Sequence, residues 1–202
     1  MNWKSWRAVG YGLIGALALV SAASAQAPEM SAEERAAMEA WMKAMTPGPE
    51  HQGMAKNVGT WNATVTMWQA PGVPPQVSQG KSVRAMILGG RVMVDDWTGS
   101  MMGMPFEGHG TSGYDNASKK WWGTWSDNLS TGVMTMTGTC DSDPKKGCAH
   151  VGKSVDPVTG KEITSRSTTV WPTPDEERME MFGPGPDGKE FKMMEIVSKR
   201  AK

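Results

Sequence analysis

Four aspartates are the groups in this sequence that could act as acid and base in a hydrolase: Asp95, Asp96, Asp115 and Asp127. Asp95 and Asp96 are neighbours on a predicted strand, so only one of them can point inward. Asp115 and Asp127 each precede an asparagine at a predicted strand end, where turn capping explains them. No nucleophile, base and orienting group are brought together, and no nucleophile elbow occurs. We assign no catalytic residue and keep an uncharacterised enzyme as an alternative.

Methionine is unusually frequent, with 18 residues among 202. Two thioethers spaced by two on a strand share a face, a geometry that suits Cu(I) in an exported protein. A buried strand face requires the same spacing, and methionine commonly fills gaps in cores. We favour packing and keep periplasmic copper handling by the turn of Met101, Met102 and Met104 as an alternative. The histidines lack the spacing of zinc ligands, and we predict no cofactor.

The first 25 residues have the features of a cleaved secretory signal. Lys4 and Arg7 give a positive start, residues 11–20 form an apolar run, and Ala23-Ser24-Ala25 is a small-x-small cleavage site. The apolar run is too short to cross a bilayer comfortably. We predict cleavage after Ala25 and an exported chain, periplasmic or secreted, with no transmembrane span after cleavage. Residues 26–46 are then a leader and helix, and residues 47–202 form one domain.

Charge and cysteine content narrow the function further. The chain has 21 basic and 21 acidic residues, and no basic stripe predicts a nucleic-acid partner. Cys140 and Cys148 both lie in the exported part, so the oxidising compartment favours a disulfide between them. Such a disulfide closes a small loop and acts as a local staple.

Helical signals are confined to the region before residue 58. Ser31 and Glu34 form a capping box, and apolar residues then recur at helical spacing until the helix stops before Pro47. Residues 50–57 predict one more helical turn. The first helix could plug the domain, bind a partner or lie on a membrane surface.

From Gly59 onward the sequence consists of short alternating runs separated by turn residues. The first run places Trp61, Ala63, Val65 and Met67 on one face. About ten such strands follow one another without a helix long enough for a parallel crossover. A meander of this length hides its edges most economically by closing. We therefore predict an all-β fold, an up-and-down antiparallel barrel, with a flattened sandwich as the alternative.

A barrel of more than eight strands is wide enough to leave an interior cavity for a small ligand. Indoles and cations on the predicted strands are candidates to line it, with arginine suited to a carboxylate head group. One histidine lies mid-strand and could also reach the cavity. The candidates are Arg84, Trp97, His109, Trp121, Trp125 and Arg166. The alternative is that the tryptophans fill the core and the arginines face water.

Gly59-x-Trp61 at the start of the first strand, with Lys199-Arg200 at the end of the last, resembles the calycin barrels, the lipocalin and fatty-acid-binding group. The resemblance implies that Trp61 plugs one end of the barrel and that Arg200 or Lys199 packs over its indole. A longer set of motifs is more specific. It comprises Gly48-Pro49-Glu50-His51, Val58-Gly59-Thr60-Trp61, Ile87-Leu88-Gly89-Gly90-Arg91, Phe106-Glu107-Gly108, Trp125-x-Asp127-Asn128 and Pro184-x-Pro186-Asp187-Gly188-Lys189-Glu190.

These motifs are similar to a bacterial family known as domain of unknown function 1579, over residues 47–200. The resemblance implies a lipocalin-like barrel and supplies no activity or catalytic residues. We therefore expect an exported, non-enzymatic protein that binds a small apolar or amphipathic molecule in its cavity.

Overall fold

The computed structural model of the protein describes residues 30–202. These residues form two helices, α1 (Ala32–Met45) and α2 (Pro49–Ala55), followed by ten strands. The strands are β1 (Gly59–Met67), β2 (Gln76–Ile87), β3 (Val92–Met101), β4 (Met104–Asp115), β5 (Lys120–Asp127), β6 (Met134–Cys140), β7 (Cys148–Val155), β8 (Glu162–Thr173), β9 (Glu176–Pro184) and β10 (Glu190–Arg200). The predicted signal peptide, residues 1–25, lies outside the described residues.

The ten strands form one closed antiparallel barrel in sequence order. Each strand pairs with the next one along the chain, and β1 pairs with β10 to close the ring. Closure pairs both edges of the sheet, which would otherwise expose unpaired backbone groups. The predicted all-β up-and-down barrel is confirmed.

The inner face of the barrel carries the apolar residues of the alternating pattern. Trp61, Ala63 and Val65 are buried on β1, as the period of two predicts. Trp97 of β3 and Phe106 of β4 pack with Ala63 and Val65 in the core cluster. The first strand therefore fixes which side of the sheet faces inward.

Two hairpin turns show where glycine is required. The pairing of Ile87 with Val92 leaves four residues, 88–91, in the β2–β3 turn, with Gly89 and Gly90 at its centre. Both glycines have positive φ, which they adopt without strain. The β3–β4 turn has two residues, Met102 and Gly103, both with positive φ, as hairpins of this length require.

Helix α1 lies outside the barrel. The side chain of Ser31 caps the amide of Glu34, and no residue of α1 is buried. Trp41 is 68% exposed. Arg91 donates to the last carbonyl of α1, and Asn116 donates to carbonyls near the same end. Among the described residues, no helix is long and apolar enough to span a bilayer.

Helix α2 packs against the barrel, unlike α1. His51 and Met54 are buried beneath it. The ring of His51 meets Tyr114 edge to face, at a centroid distance of 6.1 Å. Ser112 of β4 donates to the sulfur of Met54. Helix α2 therefore covers one end of the barrel, which we call the helix end.

The predicted disulfide is present between Cys140 and Cys148. The two cysteines are paired across β6 and β7. The loop that they enclose also contacts β8, because the amide of Trp171 donates to the carbonyl of Pro144. The disulfide therefore holds one loop at the helix end.

Candidate ligand cavity

The barrel contains a cavity of about 1490 Å³ that is partly open to solvent, with a lining that extends from α2 to loops at both ends. Pockets for small molecules usually measure about 300–1,000 Å³, so this space is ample for one. Thioethers dominate the walls. Ten methionines line the cavity: Met54, Met67, Met93, Met101, Met134, Met136, Met179, Met181, Met193 and Met194.

Three of the predicted indoles, Trp97, Trp121 and Trp125, lie among the lining residues. The ring of Trp125 stacks on Phe106 with a centroid distance of 6.4 Å, and its Nε1 donates to Asp127. Trp121 contacts Tyr114 near the helix end. The indoles therefore form part of the cavity wall and part of the core at once.

Glycines on neighbouring strands make room for these indoles. A Cβ on Gly80 would lie 2.8 Å from the ring of Trp97, and a Cβ on Gly108 would overlap the ring of Trp125. No real Cβ tolerates such a contact without displacement of its neighbour. The glycine faces of β2 and β4 are therefore inner faces filled by tryptophan.

A buried ionic cluster stands at the helix end, around Arg84. Its Nη1 and Nη2 donate to the two carboxylate oxygens of Glu177, at 2.7 and 2.8 Å. Its Nε donates to Ser82 and to Asp95, and Ser82 also donates to Asp95. The indole of Trp171 donates to Glu177 at 3.0 Å. Each nitrogen of the guanidinium therefore has a partner within the protein.

The electrostatics of this cluster follow from its burial. Burial alone would lower the pKa of Arg84, but the ion pairs with Glu177 and Asp95 outweigh it and raise the pKa above its ordinary value. Burial raises the pKa of the Asp95 carboxyl, although Arg84 and Ser82 oppose the change. Arg84 is therefore permanently charged.

Trp61 fills the barrel at the helix end and is 0% exposed. Its Nε1 donates to the carbonyl of Asn57. Arg200, rather than the exposed Lys199, lies over the indole with its guanidinium carbon 4.3 Å from the ring centroid. Arg200 also donates to Asp175 and to two backbone carbonyls that precede β1. Each nitrogen of this second guanidinium therefore has a partner within the protein as well.

His150 faces the cavity from β7, a position that we did not predict. It is paired with Gly138 on β6 and Ser167 on β8. Among residues 30–202, neither ring nitrogen has a hydrogen-bond partner, and burial lowers the pKa of the imidazole. The alternation of β7 could have predicted this position, because His150 lies two residues after Cys148 and therefore on the same face of the strand.

Two of the predicted cavity residues lie outside the cavity, and this corrects the expectation. His109 is 54% exposed and contacts Asp96, the outward member of the aspartate pair. Arg166 is 43% exposed, pairs with Glu190 and lies over the ring of Phe182. On both strands the residues directly before and after these two side chains point inward instead. They are glycines beside His109 and serines beside Arg166.

The methionine turn is divided between two environments. Met101 lines the cavity, whereas Met102 and Met104 are exposed large apolar residues. No cluster of three or more histidine, cysteine, aspartate or glutamate side chains suited to a metal occurs within the described part of the chain.

Comparison with known proteins identifies a family. The profile of the family described as "Protein of unknown function (DUF1579)" matches residues 46–200. No curated protein matches the chain.

Solved structures give the same fold. Rv2717c from M. tuberculosis superposes with a TM-score of 0.59 at 12% identity, covering 78% of this chain and 100% of that one. The S-type phycobiliprotein lyase CPES from Guillardia theta superposes with a TM-score of 0.51 at 10% identity, covering 80% of this chain and 97% of that one. At these identities the likeness concerns the calycin-like barrel fold alone.

Proposed function

Because the chain belongs to the DUF1579 family, whose description names no activity, we propose its function from the cavity: the protein is a non-enzymatic carrier that holds a small apolar molecule inside the barrel. The observation that carries this proposal is an interior space of about 1490 Å³ lined by ten methionines. Large apolar side chains surround this space without filling it.

The lining chemistry supports a ligand without a fixed shape. Methionine has three rotatable bonds and a polarizable sulfur, so it adapts to different apolar surfaces and makes favourable contacts with aromatic rings. Trp97, Trp121 and Trp125 add flat apolar area to the same wall. The site is therefore suited to an apolar molecule, including one that contains an aromatic ring.

Export completes the proposal. The disulfide between Cys140 and Cys148 fits an oxidising compartment, and the first 25 residues have the features of a cleaved signal. An apolar molecule dissolves poorly outside the membrane, so a carrier in the periplasm or medium has a physical purpose.

The test is a titration with N-phenyl-1-naphthylamine, a neutral dye whose emission rises in apolar surroundings. We expect saturable binding to the unaltered protein. Met136→Trp adds volume inside the cavity and should weaken dye binding by about tenfold, which corresponds to about 1.4 kcal/mol. Met42→Trp makes the same exchange on the exposed face of α1 and should leave binding unchanged.

Folding is checked for both variants by their urea unfolding transitions. Failure of the unaltered protein to bind the dye would refute the carrier. Equal binding by the unaltered protein and a folded Met136→Trp variant would place the dye elsewhere and refute the cavity as its site.

A further inference from the structure

We propose that the cavity selects its ligand by charge: it takes an apolar amine, whose ammonium group is received by Asp95, and it rejects apolar carboxylates. This inference rests on the proposed carrier function and names the chemical class of the ligand. It follows from the interior charges, which run opposite to those expected of a carrier for acids.

The guanidinium charges of Arg84 and Arg200 are already paired with carboxylates within the protein. Arg84 uses all three nitrogens on Ser82, Asp95 and Glu177. Arg200 is held by Asp175 and by backbone carbonyls. A carboxylate entering the cavity at Arg84 would lie close to the carboxylates of Asp95 and Glu177, which repel it. Anionic ligands are therefore disfavoured.

The lining of the cavity has an excess of negative charge. Seven carboxylates and four basic side chains belong to it. His150 adds no charge near neutral pH, because burial lowers the pKa of its imidazole. Asp141, Asp143 and Asp175 are exposed to water. In the interior, Arg84 is paired with two carboxylates, Asp95 and Glu177, so one negative charge lacks an opposite charge and a bound cation would neutralise it.

Asp95 is the carboxylate placed to receive a cation. Its side chain is 20% exposed, lines the cavity, and accepts one hydrogen bond at each oxygen, from Ser82 and Arg84. A carboxylate offers about four lone-pair sites, so acceptor capacity remains on each oxygen. Glu177 has less to offer, since three donors already contact it.

Aromatic rings flank Asp95 on the same inner face. Trp97 follows it by two positions along β3. Its partner across β4 is Gly110, over which the ring of Trp125 lies. Indole faces attract ammonium groups through their negative quadrupole, so these rings favour the same ligand charge as the carboxylate.

An unsatisfied hydroxyl at the same end is a separate sign of a missing polar partner. Ser198 is 0% exposed, and its Oγ has no hydrogen-bond partner among residues 30–202. It belongs to the cavity lining and is paired across the sheet with Glu177. Buried hydroxyls are nearly always hydrogen-bonded. Because its side chain is fully covered, Ser198 does not itself reach a ligand, and it marks the helix end only as a polar end of the barrel interior.

The test is a head-group series on one alkyl chain. Dodecylamine, dodecanol and dodecanoate, each below its micelle concentration, compete with bound N-phenyl-1-naphthylamine. We expect dodecylamine to displace the dye most strongly, dodecanol less and dodecanoate least. A span of about tenfold or more between amine and carboxylate matches one charge-assisted hydrogen bond.

Two neighbouring substitutions locate the effect. Asp95→Asn removes the inward charge and should weaken dodecylamine about tenfold while changing dodecanol little. Asp96→Asn removes the outward charge next to it and should change neither, since Asp96 contacts His109 on the outer surface.

Dodecanoate displacing the dye as well as dodecylamine does would overturn the inference while leaving the carrier intact. Loss of dodecanol and dodecylamine binding together in folded Asp95→Asn would also overturn it, because the effect would then not depend on charge. Absence of dye binding in the unaltered protein would refute the carrier and the inference with it. The head-group order needs no variant, so the test stands even if Asp95→Asn does not fold.

Discussion

At the residue scale, the most consequential side chain is Arg84 of β2, which joins the neighbouring strand β3 to β9, a strand distant in sequence. Its partners Asp95 and Glu177 lie 11 and 93 residues away. Removing one partner of a buried ion pair leaves the others uncompensated, which costs far more than the pair itself contributes. The cluster therefore secures the helix end of the barrel in addition to setting its charge.

Arg84→Leu should lower the free energy of unfolding by about 3–5 kcal/mol, because two carboxylates lose their buried counter-ion. Arg166→Leu is the control, since its pair with Glu190 is exposed to water and should contribute far less to stability. Urea unfolding measures both. Equal losses of unfolding free energy in the two variants would mean that the Arg84 cluster contributes no more to stability than an exposed ion pair.

His150 should make stability depend on pH in one direction. Burial lowers its folded pKa below the unfolded value of about 6.5, so the unfolded chain binds the proton first. Burying the neutral imidazole costs nothing in charge above about pH 6.5. As the pH falls from there through the folded pKa of His150, protonation of the unfolded chain lowers the free energy of unfolding.

His150→Gln removes this titration. The difference in free energy of unfolding between the variant and the unaltered protein should therefore shift in favour of the variant below about pH 6.5. If His150→Gln left the dependence of the free energy of unfolding on pH unchanged, that dependence would arise from other titrating groups.

At the element scale, the two helices have opposite roles. Helix α1 buries no residue and is attached to the barrel mainly at its last turn. Helix α2 is shorter but buries His51 and Met54 against the barrel. Burial, rather than helix length, decides which of them the fold needs.

A chain truncated to begin at Thr46 should therefore have a free energy of unfolding within about 1 kcal/mol of that of the unaltered protein, because no buried apolar surface is lost. Met54→Ala, in α2, should cost about 2–5 kcal/mol, the usual range for a buried methionine. Both are measured by urea unfolding. A large loss on truncation would assign α1 a structural role.

The disulfide is the other local element to test. Replacing both Cys140 and Cys148 by serine should lower the free energy of unfolding by about 2–3 kcal/mol through the loop that it closes. Reducing agent should destabilise the unaltered protein similarly and leave the double variant unaffected. A response of the double variant to reductant would contradict this account.

At the scale of the whole molecule, the barrel could be predicted because its information is local. Each turn signal joins two adjacent strands, and the alternation of Trp61, Ala63 and Val65 fixes one inner face. The sequence also allowed closure to be inferred from strand number. Topology of this kind needs no knowledge of distant contacts.

The sequence does not predict which residues face the barrel interior on strands whose inner positions lack apolar residues. On β8 the inner positions near Arg166 are serine and threonine, and on β4 those beside His109 are Gly108 and Gly110. Neither strand has a hydrophobic period, so the parity of Arg166 and His109 was open. Glu177 stands within a run of charges typical of a surface, and only the distant Arg84 explains its burial.

Native mass spectrometry of the protein purified from its own host tests the carrier most directly. We predict a native mass above that of the denatured polypeptide by one small organic molecule, which denaturation releases and which Met136→Trp lacks. A native mass equal to the denatured mass would contradict a ligand-filled cavity.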